Sequence, residues 1–146
     1  MKNNIVFDFN NVPASWALCF NDNCPLATQC LRRYAASQMP DNKTRVVTVT
    51  PQAGADGHCP WYVSTEPVRV AYGFSQLYRH VLYHDYAPMK RAITTLLRGQ
   101  SNYYRYNNGE LTLSPDEQQR IADIMADMGY HEPPVFDHYR YELRFR

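Results

Sequence analysis

Residues 114–129 read SPDEQQRIADIMADMG and carry the clearest helix signal in the chain. Ser114 supplies a side-chain cap, Pro115 suits the first helical position, and Glu117 can accept a hydrogen bond from the amide of the cap. Apolar residues then recur at helical intervals, and Gly129 marks the end of the pattern. The stretch therefore predicts a helix from residue 115 with one apolar face.

Helix and strand signals extend outward from this helix. Residues 139–146 alternate aromatic or aliphatic residues with charged ones, which predicts a half-buried strand that pairs with a second strand at 68–72. Apolar residues at helical spacing predict a helix at about 75–83 and another at 88–97, which together would form a helical hairpin.

Composition divides the chain near residue 60. All four cysteines precede that point, and 11 of the 12 tyrosines follow it. The front part offers a short helix at 26–37, a strand at 45–50 and many turn formers, with a further strand at 61–64. We expect an α+β fold in which residues 1–60, stapled by their cysteines, pack as one compact unit on residues 61–146, a helical part with a small, mostly antiparallel sheet.

Composition and motifs exclude several classes of protein. The mean hydropathy is −0.55, no long apolar run is present, and the N-terminus lacks the apolar segment of a secretory signal, so we expect a cytoplasmic protein that does not enter a membrane. A net charge of +1 excludes a protein that coats polyanions. Phosphate-binding loops and nucleophile motifs are absent, and His80 and His84 read as a surface pair, so we predict no enzyme.

The cysteines lie at positions 19, 24, 30 and 59. Four thiols match a closed tetrahedral zinc site, and a metal would stabilise a front part that has little core. Cys24-Pro25 and Cys59-Pro60 are also typical of iron–sulfur ligand runs, which keeps a 4Fe–4S cluster as an alternative cofactor. Buried free thiols and a disulfide pair remain open as well, and His58 could replace one metal ligand.

The cysteine motif is similar to a motif of a known protein family. Residues 24–32, CPLATQCLR, with Cys19 upstream and Cys59-Pro60 downstream, resemble the N-terminal motif of a family of small uncharacterised bacterial proteins of unknown function. The resemblance extends through Tyr103–Gly129. It implies that the cysteines belong together as a group, and it implies no activity.

Positive charge is concentrated between Tyr86 and Gly109, where four cations occur without an acidic residue. The expected helix at 88–97, a turn at 98–101 and a second short helix ending at Gly109 are similar to the helix-turn-helix of phage-repressor-like regulators. That resemblance implies that the second helix lies in the major groove of DNA.

Seven residues are expected to contact nucleic acid on this hypothesis. Asn102, Arg105 and Asn107 would read base edges. The remaining four would contact phosphates or stack on bases: Lys90, Arg91, Arg98 and Tyr103. Alternatively, a β-hairpin around Asn107-Asn108-Gly109 would leave the cations as a solvated face.

The sequence as a whole predicts a non-enzymatic DNA-binding regulator with a structural four-cysteine metal site. The alternatives are a protein–protein interaction or adaptor module, because clustered tyrosine and arginine suit interfaces, and an iron–sulfur sensing protein.

Overall fold

The computed structural model describes residues 5–145, which form two compact units. The first unit comprises the described residues up to Pro67 together with those from Glu142 onward, and the second unit is Val68–Tyr141. Met1–Asn4 and Arg146, the last residue of the predicted C-terminal strand, lie outside the described residues.

The first unit is built mainly of turns and short elements. Strand β1 pairs in parallel with strand β2, so that Leu18 lies opposite Thr48 and Cys19 opposite Val49. The elements in chain order are a 3-10 helix at Phe9–Asn11, β1 at Leu18–Cys19, a 3-10 helix at Ala27–Gln29, α1 at Leu31–Ser37, β2 at Thr48–Val49 and a 3-10 helix at Pro51–Gly54.

The predicted elements of the front part are longer than the observed ones. The helix expected at 26–37 begins only at Leu31, because Cys30 is extended, forms a bridge with Ser64, and leaves the Leu31 amide to donate to the Val63 carbonyl at 2.6 Å. The strand expected at 45–50 is reduced to β2. The strand expected at 61–64 contributes only the bridge of Ser64.

The second unit has longer regular elements. They are β3 at Val68–Tyr72, α2 at Tyr83–Leu96, α3 at Gln100–Asn108, α4 at Pro115–Asp127 and β4 at His138–Glu142, whose last residue, Glu142, belongs to the first unit. The predicted pairing of the C-terminal strand with β3 is confirmed, and the pair is antiparallel. The four helices and two small strand pairs confirm the α+β class, whereas stapling by the cysteines stays a prediction.

The helix predicted at 75–83 is wrong, and the helical hairpin with it. Residues 75–80 form successive turns, because the carboxylate of Asp137 accepts from the amides of Ser75 and Gln76 at 3.0 and 2.6 Å. The apolar spacing did predict buried side chains in this stretch, because Phe74 and Leu77 both lie in the core. A tertiary contact therefore replaced the helical hydrogen bonds.

The two helices predicted on either side of Gly99 are present, and α2 begins five residues earlier than Pro88 suggests. The hydroxyl of Tyr130 accepts from the amide of Leu82 at 3.0 Å, which replaces a side-chain cap at this end. Helix α3 ends at Gly109 in the left-handed region, with φ +87°, so the alternative β-hairpin is wrong. The capping box of α4 is confirmed.

Apolar burial is concentrated in the second unit. Its core contains side chains from β3 and the three helices together with Phe74, Leu77, Leu113 and Phe136. In the first unit, the core cluster contains Leu18, Ala35 and Ala36 with partly buried aromatic residues around them. Within residues 5–145, no helix has the length and apolar character needed to cross a bilayer.

Candidate functional site

Four different backbone elements carry the cysteines of the first unit. Cys19 ends β1, and Cys30 is the N-cap residue of α1. Cys24 and Cys59 each open a Cys-Pro turn, in which the cysteine carbonyl accepts from the amide three residues later, at 3.0 and 3.2 Å. Proline at the second position of a turn restricts its φ, so both cysteines sit on similarly restricted turns.

All four cysteines line one cavity, which we call the cysteine cavity. Its volume is about 20 Å³, room for one water-sized body. Cys30 is 9% exposed, the other three are partly exposed, and all four are free thiols. The remaining lining residues are Asn21, Leu26, Ala27, Arg32, Arg33, Val49, Trp61 and Tyr62.

Gly54 also borders this group. A Cβ atom placed on Gly54 would lie 3.4 Å from Cys24 Sγ and 3.7 Å from Cys59 Cβ, so the two Cys-Pro turns approach the same point of the backbone. A side chain larger than alanine at position 54 would therefore press on the sulfur of Cys24.

The side chains do not form a closed ligand set as they stand. Among the described residues, no three His, Cys, Asp or Glu side chains are grouped so that they could hold a metal ion. The cysteines thus share a cavity wall without converging on one centre. His58 is exposed, its amide donates to Asp56 Oδ1 at 2.9 Å, and it is not on the cavity wall.

Arg32 brings positive charge to the cysteine cavity. Its Nε donates to the Trp61 carbonyl at 2.6 Å and its Nη1 to the Ala17 carbonyl at 2.7 Å. Desolvation by burial lowers the pKa of Arg32, and the nearby thiols of Cys30, Cys59 and Cys19 act in the opposite direction. The net direction is downward, and the guanidinium remains a cation at neutral pH because the ordinary pKa of arginine lies far above neutrality.

The basic segment lies on α2, α3 and the turn between them. Arg91, Arg98 and Arg105 are exposed, and Arg105 Nε is 3.3 Å from Glu110 Oε2. Arg98 has a φ of +66°, which places it in the left-handed region beside Gly99. Three guanidinium groups are therefore accessible to solvent on this helix pair.

The other predicted nucleic-acid contacts have partners inside the protein. Asn102 Nδ2 donates to the Leu97 carbonyl at 3.0 Å, and Asn107 Oδ1 accepts from the Phe74 amide at 3.0 Å. Tyr103 is 4% exposed and its ring stacks on Phe74 at 4.7 Å. These three side chains stabilise the fold, and the two amides would have to exchange these bonds to read a base.

Lys90 lies among tyrosine rings. Desolvation lowers the pKa of Lys90, the three neighbouring tyrosines raise it, and the net direction is upward. Its Nζ is 6.0, 5.3 and 5.6 Å from the ring centroids of Tyr86, Tyr103 and Tyr104. Cation–π attraction therefore holds this ammonium against the protein surface.

Among residues 5–145, no third side chain joins the histidine pair of the sequence to make a group that could hold a metal ion. His80 lies in a turn, and His84 lies in α2 with its Nε2 3.5 Å from Asp85 Oδ1. Sequence reasoning missed Arg32 and Gly54 at the cysteine cavity. The sequence feature that could have identified Arg32 is its position two residues after Cys30. No sequence feature distinguishes Gly54 from other glycines in turns.

Comparison with known proteins gives one result. A family model described as a family of unknown function, DUF6078, matches residues 1–145. The chain belongs to the DUF6078 family. The expected resemblance to an uncharacterised family is thereby confirmed, whereas the cysteine motif and the helix-turn-helix likeness stay predictions. No curated protein and no solved structure matches this DUF6078 chain.

Proposed function

We propose that this DUF6078 protein is a non-enzymatic zinc-binding protein in which the four cysteines hold a structural metal ion. One observation carries the proposal: three cysteines within residues 19–30 and a fourth at position 59 line a single small cavity, with no carboxylate or imidazole among its described lining residues. Soft thiolate ligands favour zinc over magnesium, calcium or manganese, and four of them make a closed structural site.

The alternative metal centre is a 4Fe–4S cluster, and we favour a single zinc ion because a structural thiolate zinc site needs no assembly machinery. Each cysteine has one side-chain torsion with three staggered positions. Rotation about that bond changes the position of a sulfur without moving the backbone, so we propose that metal binding gathers the four sulfurs around one ion.

Zinc would supply stability that the first unit lacks from apolar burial. A structural site contributes its binding free energy to folding, on the order of 10 kcal/mol for small zinc domains. Thiolates must stay reduced to bind, which is why we place the protein in a reducing compartment such as the cytoplasm.

Metal analysis of freshly purified protein tests this proposal. We expect one zinc per chain, loss of zinc in the Cys24→Ser/Cys59→Ser double variant, and full retention in His58→Ala as the matched control. Bound iron with visible absorbance would instead indicate a 4Fe–4S cluster at this site. Metal-free protein with four titratable thiols, which takes up no added Zn²⁺, would overturn the proposal.

We propose DNA binding as a second function, carried by the second unit. The observation that favours it is the exposure of Arg91, Arg98 and Arg105 on a helix pair whose segment from Tyr86 to Gly109 contains no acid. Because Asn102 and Asn107 are engaged inside the protein, these arginines would contact phosphates, which gives affinity with little sequence preference.

Salt-dependent binding to duplex DNA tests this second proposal. The Arg98→Ala/Arg105→Ala variant should bind a random duplex at least tenfold more weakly, and the slope of log K against log salt should fall by roughly 2. Arg120→Ala, an exposed arginine of α4 paired with Asp116, is the matched control. Equal binding by both variants would exclude the arginine surface and favour the protein-partner alternative.

A further inference from the structure

Arg32 is fixed at the wall of the cysteine cavity by contacts on two sides. Two backbone carbonyls hold its guanidinium, as described above, and its Cζ atom lies 4.3 Å from the ring centroid of Trp16. The Trp61 ring centroid is 5.9 Å away. These neighbours fix the guanidinium at the wall of the cavity that the four cysteines also line.

A tetrathiolate zinc site carries excess negative charge. Four thiolates and one Zn²⁺ sum to two negative charges, and a partly buried charge is costly unless a counter-charge lies near it. Two cations line the cysteine cavity, Arg32 and Arg33. Arg33 already forms an ion pair with Asp22, whereas the hydrogen bonds of Arg32 described by the structure go to uncharged carbonyls.

We infer that Arg32 is the positioning residue of the zinc site: its cation offsets the excess charge of the four thiolates and its two carbonyl bonds keep that charge beside them. The inference rests on the proposed zinc function. An anionic metal site beside Arg32 would also offset the desolvation cost of its guanidinium, which is partly withdrawn from water and hydrogen-bonded to uncharged carbonyls.

The distinguishing property of this role is that charge matters more than shape. Replacing Arg32 by glutamine removes the charge and keeps a polar side chain. Replacing it by lysine keeps the charge and loses the planar fork that bonds to two carbonyls at once. Arg33→Gln removes a cation from the same cavity wall, where the charge is already compensated by Asp22.

Zinc affinity, measured by competition with a chromophoric chelator, tests the inference in the full chain. Arg32→Gln should weaken binding about 10- to 100-fold, the range typical of residues that support metal ligands. Arg32→Lys should stay within a fewfold of wild type, and so should Arg33→Gln. The thiolate-to-metal absorption of Co²⁺-loaded protein should be retained in all three, because the ligands are unchanged.

The two proposals fail differently. If wild-type protein takes up no Zn²⁺, the zinc function itself fails. If wild type binds and Arg32→Gln binds equally well, only the role of Arg32 fails. If Arg32→Lys loses as much affinity as Arg32→Gln, Arg32 serves the fold and the charge argument is wrong. Should Arg32→Gln not fold, the folded Arg32→Lys variant decides: a loss above tenfold overturns the inference.

Discussion

Among the described residues, the core cluster of the second unit contains twelve buried side chains, and that of the first unit contains three. The regular elements differ in the same way: α2 and α4 have 14 and 13 residues, whereas α1 has seven and β1 and β2 have two each. Apolar burial is the main driving force of folding, so the second unit has a source of stability that the first largely lacks. The cysteines all lie in the unit with the small core.

Removal of the metal should have the largest effect on the difference in stability between the two units. We expect a strong chelator to abolish amide-exchange protection in β1 and α1 of the first unit, because its few buried contacts cannot offset the entropy of ordering the chain. Protection in α2 and α4 should change little. Hydrogen exchange read by mass spectrometry checks this, with zinc-saturated chelator as the control.

Uniform loss of protection in both units, or no loss in either, would contradict this division of labour. The first result would make the metal important for the whole chain, and the second would mean that the small core of the first unit suffices.

Truncation of a buried side chain tests whether apolar burial stabilises the second unit. Ile93 is 0% exposed and lies on the face of α2 that packs into the core, so Ile93→Ala should lower the free energy of unfolding by about 2–5 kcal/mol. Urea denaturation followed by the helical circular dichroism signal measures it. Thr95→Ala, on the exposed side of the same helix, should change stability by less than about 0.5 kcal/mol. Equal effects of the two substitutions would show that burial on α2 is not what stabilises the unit.

Local signals in the sequence predicted the second unit better than the first. The cap at Ser114 and the glycine at 109 each act within a few residues, and each is found as expected. Such signals can be read from a short stretch of sequence, because the groups that hydrogen-bond the free backbone N–H and C=O groups of a helix end lie in the same turn. The alternation at 139–146 predicted a half-buried strand, but the observed strand is limited to His138–Glu142, and Tyr141 in it is 48% exposed.

The failed helix predictions involve partners distant in sequence. Residues 75–80 had helical periodicity, yet the carboxylate of Asp137 captures two of their amides from 61 and 62 residues away. The early start of α2 depends on Tyr130 in the same manner, and the shortened α1 depends on Val63 and Ser64. All four cysteines line one cavity, and the metal site predicted from their number stays a prediction. The position of Arg32 at that cavity was not predicted, because it is set by the carbonyls of Ala17 and Trp61.

Removing the carboxylate of Asp137 should have a moderate effect within the second unit. In Asp137→Ala, water replaces the carboxylate as the acceptor for the exposed amides of Ser75 and Gln76, and the loss of these two charge-assisted hydrogen bonds should cost about 1–3 kcal/mol in the free energy of unfolding. Asp137→Asn retains one carbonyl oxygen and should lose about half as much. Chemical denaturation of both variants measures the difference. If alanine is tolerated as well as asparagine, the turns at 75–80 are held by Phe74 and Leu77 alone.

The smallest effect concerns the cap of α4, where local and tertiary contacts meet. Ser114 Oγ accepts from the Glu117 amide at 3.2 Å, and Ser114→Ala should therefore cost about 1 kcal/mol, while Ser114→Asp, which keeps an acceptor, should cost less. Glu117 bonds back to the Ser114 amide and also accepts from the Tyr106 hydroxyl of α3, at 3.0 Å each. Glu117→Ala should thus exceed Ser114→Ala in thermal denaturation, because it breaks a link between two helices as well as the cap. An equal cost for both would mean that the cap acts locally and that the bond to Tyr106 adds nothing to the stability of the second unit.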